Sequence, residues 1–287
     1  SGTVNALVQN NIKPVFCDID ETLTLNLNNI KLDKDIKFII GVSVYGNIPD
    51  LTKIKKFAKK HNLVFLLDNA PGFGSRINNK FPHDYSVDEI YSFHATKIFN
   101  SIEGGCAITS NKSIHKLLVA ARNFGQFEKQ TNDIIIPGLN SKMNELSAIV
   151  GNYNLKNFKK LIIKRKKVID LYKVFFNKLK NNNLIDLMKV DKSVFCNYFF
   201  FPIILKKKTV TGFLNFMNKK KIYCRRYYKS VHTLSYYKNK ITKKELLRIP
   251  FTEKIKNQVV AIPLNTSMDK QMTKHLFKNI DIFFKQK

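Results

Sequence analysis

Two apolar runs separated by an amphipathic segment constrain the fold of this chain most strongly. Residues 38–46 (FIIGVSVYG) and 63–70 (LVFLLDNA) are nearly continuous in apolar side chains, a pattern typical of parallel strands that are buried on both faces. Between them, residues 49–62 predict a helix, because apolar residues recur there at helical spacing and Asp50 can cap the N-terminus. A strand, a helix and a strand in succession predict the parallel crossover unit of an α/β protein.

A lysine follows the next predicted strand. Residues 90–95 alternate with a period of two, which predicts a short strand, and Lys97 comes directly after it, before a loop with two glycines. Asp68 ends the apolar run 63–70 in the same way. Ligands of open α/β sheets bind in the crevice beyond the strand ends, so these two side chains make a candidate site. A lysine that follows a strand without a neighbouring carboxylate or a glycine loop is more often a solvated surface charge.

The segment around Lys97, SFHATKIFNSIEGG, resembles the active-site segment of the sugar aminotransferases of the DegT/DnrJ/EryC1/StrS family. In that family the lysine forms a Schiff base with pyridoxal phosphate. The His-Ala-Thr-Lys form is similar to enzymes that aminate nucleotide-linked keto-6-deoxyhexoses. The resemblance covers the chain from Thr3 to the last predicted helix. It implies an aspartate-aminotransferase-like fold of type I, with a mainly parallel sheet in a large domain and a smaller α+β C-terminal domain.

The resemblance also implies roles for individual residues. Lys97 would bind the cofactor covalently and later move a proton, and Asp68 would hold the protonated pyridine nitrogen, whose charge favours an ionised carboxylate. Ser92 would hydrogen-bond the cofactor phosphate. Asn140 matches a residue that reaches into the neighbouring subunit's site in the family. Lys142 would face the anionic substrate or phosphate, where many relatives have an arginine with its bidentate fork.

Three further positions follow from the same resemblance. His94 is a candidate residue of the substrate-binding wall. His232 stands in a context similar to the family's small domain and is a second candidate for substrate binding, although a histidine without that context is more often a plain surface or core residue. Pro71 stands three residues after Asp68, where the family usually offers Gln, His or Glu to the cofactor. Proline has no side-chain donor, so the chain departs from the family pattern at this contact.

Two domains are expected for a chain of 287 residues, because this length exceeds the usual single-domain range. The predicted boundary lies near residue 160, with residues 1–160 as the large cofactor-binding domain and 161–287 as the small C-terminal domain. Residues 3–10 and 14–20 predict a helix and a strand, and they resemble an interior segment of the family's large domain. The resemblance therefore implies that an N-terminal part with a phosphate-binding helix start is lacking.

The net charge of +29 is of the size that usually suggests a nucleic acid or an anionic membrane as partner. The lysines are spread through almost every predicted helix, which indicates a bias of the whole composition rather than a basic patch. We therefore expect no nucleic-acid partner, while a positive field favours an anionic substrate such as a nucleotide-linked sugar. No apolar run approaches the roughly 18 residues of a membrane span, so no membrane association is expected.

The four cysteines are far apart and form no C-x-x-C pair. This spacing predicts neither a zinc site nor a disulfide framework, so no metal is expected and the cytoplasm is the expected compartment. Cys17 and Cys106 fall within apolar strand-like runs and are expected to be core thiols.

The predicted function is the transfer of an amino group from an amino acid, with L-glutamate as the expected donor, to a nucleotide-linked keto-deoxysugar for polysaccharide or glycoconjugate biosynthesis. A homodimer with shared active sites is expected. Two alternatives stay open. A pyridoxal-dependent sugar dehydratase of the same fold carries histidine in place of the lysine, and Lys97 speaks against it. A non-catalytic, truncated homologue would bind anionic ligands through its charge.

Overall fold

The first part of the chain forms a mainly parallel sheet, and the second part forms a smaller antiparallel sheet. The structure, a computed structural model, describes residues 1–28, 30–127 and 133–286. In chain order the elements are α1 (Gly2–Gln9), β1 (Phe38–Val42), α2 (Leu51–Lys60), β2 (Val64–Asp68), β3 (Arg76–Ile77), β4 (Asp88–Ser92), β5 (Gly105–Ile108), α3 (Lys112–Ala121), α4 (Glu145–Asn181), β6 (Ile185–Leu187), β7 (Val194–Phe195), β8 (Phe201–Leu205), α5 (Val210–Lys219), α6 (Lys243–Leu246), α7 (Pro250–Ile255), β9 (Val259–Ile262) and α8 (Lys270–Lys285).

The first sheet has the strand order β1-β2-β4-β5. Strands β1, β2 and β4 run parallel, and β5 pairs antiparallel with β4. Helix α2 connects β1 to β2, and the Asp50 side chain accepts a hydrogen bond from the backbone nitrogen of Lys53 at its N-terminus. The predicted crossover unit is confirmed. Because parallel strands end at the same edge of a sheet, Asp68 at the end of β2 lies beside Val42 of β1 and Ile90 of β4.

Helix α4 joins this sheet to a second, antiparallel sheet with the order β6-β8-β9. The helix spans 37 residues, and its N-terminus is capped by Asn144. Its C-terminal half buries Tyr172 and Phe176 against Phe201 of β8 in an aromatic cluster. The predicted domain boundary near residue 160 falls within this continuous helix, and the division into residues 1–160 and 161–287 stays a prediction. Within the described ranges, every helix is too short or too polar to cross a membrane.

The strand predicted at residues 14–20 is wrong. The structure has only an isolated bridge there, between Ile19 and Leu25. The Asp18 carboxylate accepts hydrogen bonds from the backbone nitrogens of Phe251 and Thr252 at the start of α7, and these contacts hold the segment beside α7. The segment is therefore held by side-chain contacts rather than by pairing with a neighbouring strand.

Residues 222–228 form a single bridge between Arg225 and Ala261 at the edge of the second sheet. One further expectation differs from the structure. Cys106 is exposed rather than part of the core, because β5 is the edge strand of the first sheet and most of its residues are solvent-accessible.

Candidate active site

A cavity of about 1040 Å³ opens beside the ends of β1 and β2. Its wall includes Asp68 and Lys97 from the first sheet, and Tyr228 and His232 from the second half of the chain. Small-molecule sites usually measure about 300–1,000 Å³. The cavity is therefore large enough for a cofactor together with a substrate.

Asp68 is held in place at the last position of β2, where its side chain is 7% exposed. One carboxylate oxygen, Oδ2, accepts a hydrogen bond of 2.6 Å from the hydroxyl of Thr3, and Oδ1 accepts one of 3.1 Å from the backbone nitrogen of Ala70. A buried carboxylate needs such partners to offset the loss of hydration. The two contacts fix the carboxylate at the sheet edge, facing the cavity that Lys97 also lines.

Lys97 lies in the turn that follows β4, where its backbone nitrogen donates to the carbonyl of His94 over 2.9 Å. Its amine lies 4.7 Å from the centre of the Phe199 ring. Burial lowers the pKa of Lys97 below its usual value, and the charge of Asp68 opposes this effect. The lowered pKa increases the neutral fraction of the amine, which is the nucleophilic form.

His232 also lines the cavity, on a short 3₁₀ helix, and is 6% exposed. Its ring nitrogen Nε2 lies 2.7 Å from a carboxylate oxygen of Glu253 on α7. The other oxygen of Glu253 accepts a hydrogen bond of 2.8 Å from Lys256. Hydrogen bonds from Lys256 and His232 both lower the pKa of Glu253, and the one from Lys256 has the larger effect. The carboxylate therefore fixes the orientation of the imidazole at the cavity wall.

Ser92 and His94 lie close to Lys97 in the chain but are not among the described residues that line the cavity. Ser92 is the last residue of β4, and its hydroxyl accepts a hydrogen bond of 3.4 Å from the backbone nitrogen of His94. The His94 ring is exposed and lies between Thr96, at 2.8 Å, and Glu103, at 3.4 Å. The predicted roles of these two residues stay predictions.

Asn140 and Lys142 lie apart from the cavity on the exposed segment before α4. Asn140 forms an isolated backbone bridge with Asn123. Lys142 donates a hydrogen bond of 2.9 Å to the Asn123 side chain, and its amine lies 4.6 Å from the centre of the Phe124 ring. Neither side chain is among the described residues that line the cavity, and the predicted role of these residues across a subunit interface stays a prediction.

Several residues around the site were missed in the sequence. Thr3 holds the Asp68 carboxylate, and Phe199 covers the Lys97 amine. Asn197 donates a hydrogen bond of 2.8 Å to the carbonyl of Pro71, whose ring lines the cavity. In the sequence, residues 194–205 look like one continuous strand, so nothing marked Asn197 or Phe199 as neighbours of the site.

A mainly parallel α/β sheet that presents a buried carboxylate and a partly desolvated lysine to one cavity defines the class of protein as an α/β enzyme. The particular family follows from sequence. The chain belongs to the DegT/DnrJ/EryC1/StrS aminotransferase family, whose sequence profile matches residues 1–281. The predicted family, the fold class and the assignment as a sugar aminotransferase are thereby confirmed.

Individual relatives and solved structures resemble the chain over most of its length. A dTDP-4-amino-4,6-dideoxy-D-glucose transaminase of Shigella dysenteriae is 26% identical over 284 residues, which are 97% of this chain and 76% of that protein. A UDP-4-amino-4,6-dideoxy-N-acetyl-beta-L-altrosamine transaminase of Helicobacter pylori is 28% identical over 82% of this chain and 64% of that protein. The sugar aminotransferase CalS13 of Micromonospora echinospora shares the fold, with a TM-score of 0.89 and 16% identity over 98% of this chain and 77% of its own.

Proposed function

We propose that this chain is a pyridoxal-phosphate-dependent aminotransferase that moves an amino group from L-glutamate to a nucleotide-linked keto-deoxysugar. The observation that carries the proposal is that Lys97, with its lowered pKa, and the buried Asp68 face the same cavity. The related transaminases named above, which act on dTDP- and UDP-linked amino sugars by their names, support the substrate class. The basic composition of the chain favours a substrate that carries a diphosphate.

The residues present fit two chemical groups of pyridoxal phosphate, the aldehyde and the ring nitrogen. The amine of Lys97 suits the aldehyde carbon, and the carboxylate of Asp68, already fixed by two hydrogen bonds, suits a protonated ring nitrogen. We assign the phosphate to the hydroxyl of Ser92 and to Asn140 of a second subunit. When bound, the cofactor withdraws electrons from the carbon that loses its proton.

The side chains of the candidate site have distinct roles in the proposed reaction. Lys97 would hold the cofactor, and its amine, once released, would move a proton from the α-carbon of the amino donor to the C4′ atom of the cofactor. Burial keeps a neutral fraction of this amine available, since it lowers the pKa of Lys97. His232, oriented by Glu253, and His94 contact the sugar, and Lys142 of the second subunit attracts its phosphates.

Reduction with borohydride followed by peptide mapping tests the assignment of Lys97. Protein incubated with pyridoxal phosphate and reduced should carry a pyridoxyl group on Lys97, and adding L-glutamate before reduction should diminish the adduct. Lys53→Ala serves as the matched control, because it removes an exposed lysine of α2 outside the cavity and should leave the adduct in place. An adduct on a different lysine would refute the assignment, whereas an adduct on Lys97 that L-glutamate does not diminish would refute the amino donor.

We also propose that the enzyme is a homodimer with shared active sites. The segment with Asn140 and Lys142 is continuous with the exposed apolar face of the first turns of α4, where Leu146, Ile149 and Tyr153 are 73%, 62% and 69% exposed. Contiguous exposed apolar surface of this kind marks interaction sites, and two-fold symmetry is the most common arrangement of identical subunits.

Complementation between inactive subunits tests the shared site. Lys97→Ala and Asn140→Ala should each be inactive alone, and mixed dimers should regain part of the activity because one of their two sites has all wild-type residues. Mixed dimers that form and stay inactive would contradict a shared site. The presence of Lys97 favours an aminotransferase over the dehydratase alternative, in which histidine takes this position by resemblance.

A further inference from the structure

Arg165, in the middle of α4, is a buried cation whose hydrogen-bond partners are main-chain carbonyls. It is 5% exposed, and burial lowers its pKa to about 10. Its guanidinium donates to the carbonyls of Asn197 at 3.0 Å, Tyr198, Phe199 at 3.0 Å and Leu264 at 3.2 Å. Among the described residues, no carboxylate forms an ion pair with it. A buried charge without a counter-ion is costly, so these contacts must offset a large desolvation penalty.

Three of the four carbonyls belong to residues 197–199, which we call the clasped loop. The loop is also bound to both turns that follow β1 and β2. The side chain of Asn197 donates to the carbonyls of Pro71 at 2.8 Å and Phe73 at 3.0 Å, and the backbone nitrogen of Phe199 donates to the carbonyl of Tyr45 at 2.9 Å. The clasped loop is therefore fixed between α4 and the edge of the first sheet that lines the cavity.

The clasped loop places the Phe199 ring over the Lys97 amine at a centroid distance of 4.7 Å, and Phe199 is only 6% exposed. A ring face attracts a cation, and this attraction is stronger when water is excluded. Many titratable groups line the same cavity, and among them Asp68 is the one whose charge raises the pKa of Lys97. Asp68 and the ring both favour the charged amine, and burial opposes them.

We propose that Arg165 is a positioning residue for Lys97, which acts through the clasped loop and the Phe199 ring to fix the place and the protonation of the amine. This inference rests on the proposed function of Lys97 as the reactive amine. Its test uses the cofactor-free protein, so that it reports on the amine itself whether or not the protein binds pyridoxal phosphate.

The first measurement is the rate at which a trace of an amine-selective acetylating reagent modifies Lys97 at neutral pH. Peptide mass spectrometry compares it with exposed Lys53 of α2 in the same sample. Phe199→Leu keeps an apolar cover but removes the ring face, so the charged amine loses an attraction worth roughly a two- to thirtyfold change in the ratio of neutral to charged amine. The modification of Lys97 should accelerate by that factor.

The chain offers a matched control in the exposed pair of Lys142 and Phe124, whose amine-to-ring distance is 4.6 Å. Phe124→Leu should leave the modification of Lys97 unchanged, and it should change that of Lys142 little because water screens an exposed pair. An unchanged rate at Lys97 in Phe199→Leu would overturn the proposal.

The second measurement is a double-mutant cycle with Arg165→Lys, which keeps the charge but loses the planar fork that reaches several carbonyls. If Arg165 acts through the ring, adding Phe199→Leu in this background should change the rate at Lys97 by less than about twofold. A full effect in both backgrounds would show that Arg165 only stabilises the fold. Thermal unfolding checks that each variant is folded, and if Arg165→Lys does not fold, Arg165→Gln takes its place in the cycle.

Discussion

Asp68→Asn separates the charge of the candidate site from its shape. The amide oxygen can still accept from the backbone nitrogen of Ala70, and the Thr3 hydroxyl can rotate to accept from the new amide nitrogen, so both hydrogen bonds of 3.1 and 2.6 Å have a replacement. The variant should therefore fold with nearly the stability of the parent. What it loses is the negative charge that would face a protonated ring nitrogen.

The expected loss in cofactor affinity follows from this single change. A hydrogen bond with a charged partner contributes about 1.5–3 kcal/mol and a neutral one about 0.5–1.5 kcal/mol, so the difference is about 1–2 kcal/mol, or roughly five- to thirtyfold in affinity. Because Asp68 is only 7% exposed, solvent screening reduces this difference little. The loss of its charge should also lower the pKa of Lys97 further, since Asp68 is the group that raises it.

Absorbance titration of pyridoxal phosphate into the parent and the variant measures the effect. Glu89→Gln is the matched control, because the Glu89 carboxylate is fully buried, accepts a hydrogen bond of 2.8 Å from the Asn69 side chain and does not line the cavity. The control should lower the unfolding temperature and leave the affinity unchanged. Equal affinities for Asp68→Asn and the parent, or an equal loss in the control, would refute the role of the Asp68 charge.

Two further predictions concern stability. Tyr172→Phe removes the hydroxyl that donates to the carbonyl of Pro263 over 2.6 Å, so urea denaturation should show a loss of about 1–3 kcal/mol in unfolding free energy; an unchanged value would mean that the carbonyl finds another donor. Contacts with Lys256 and His232 lower the pKa of Glu253 from 4.5. These contacts therefore stabilise the fold above that pH and are lost as the pH falls below it. Glu253→Gln should flatten this part of the plot of unfolding midpoint against pH, and parallel curves would contradict the linkage.

Local patterns in the sequence were sufficient for the elements that depend on neighbouring residues. The crossover of β1, α2 and β2 follows from apolar periodicity, and the cap at Asp50 follows from residue type and position. Asp68 and Lys97 were found because both stand at strand ends, and parallel strands bring their ends to one edge of the sheet. The roles of Ser92 and Asn140 came from the resemblance alone and stay predictions.

The remaining features depended on segments that are distant in the chain. Residues 14–20 have the composition of a strand, but the partners of Asp18 lie on α7, more than 200 positions away. Likewise, the Phe199 ring lies over the Lys97 amine although the two residues are far apart in the chain, and the Phe199 carbonyl accepts a hydrogen bond from Arg165. Periodicity and capping are short-range properties that the sequence determines by itself. The partner of a buried polar group is decided only when distant elements pack together. A buried donor or acceptor without a partner is costly, so it forms a hydrogen bond with whichever group the packing brings close to it.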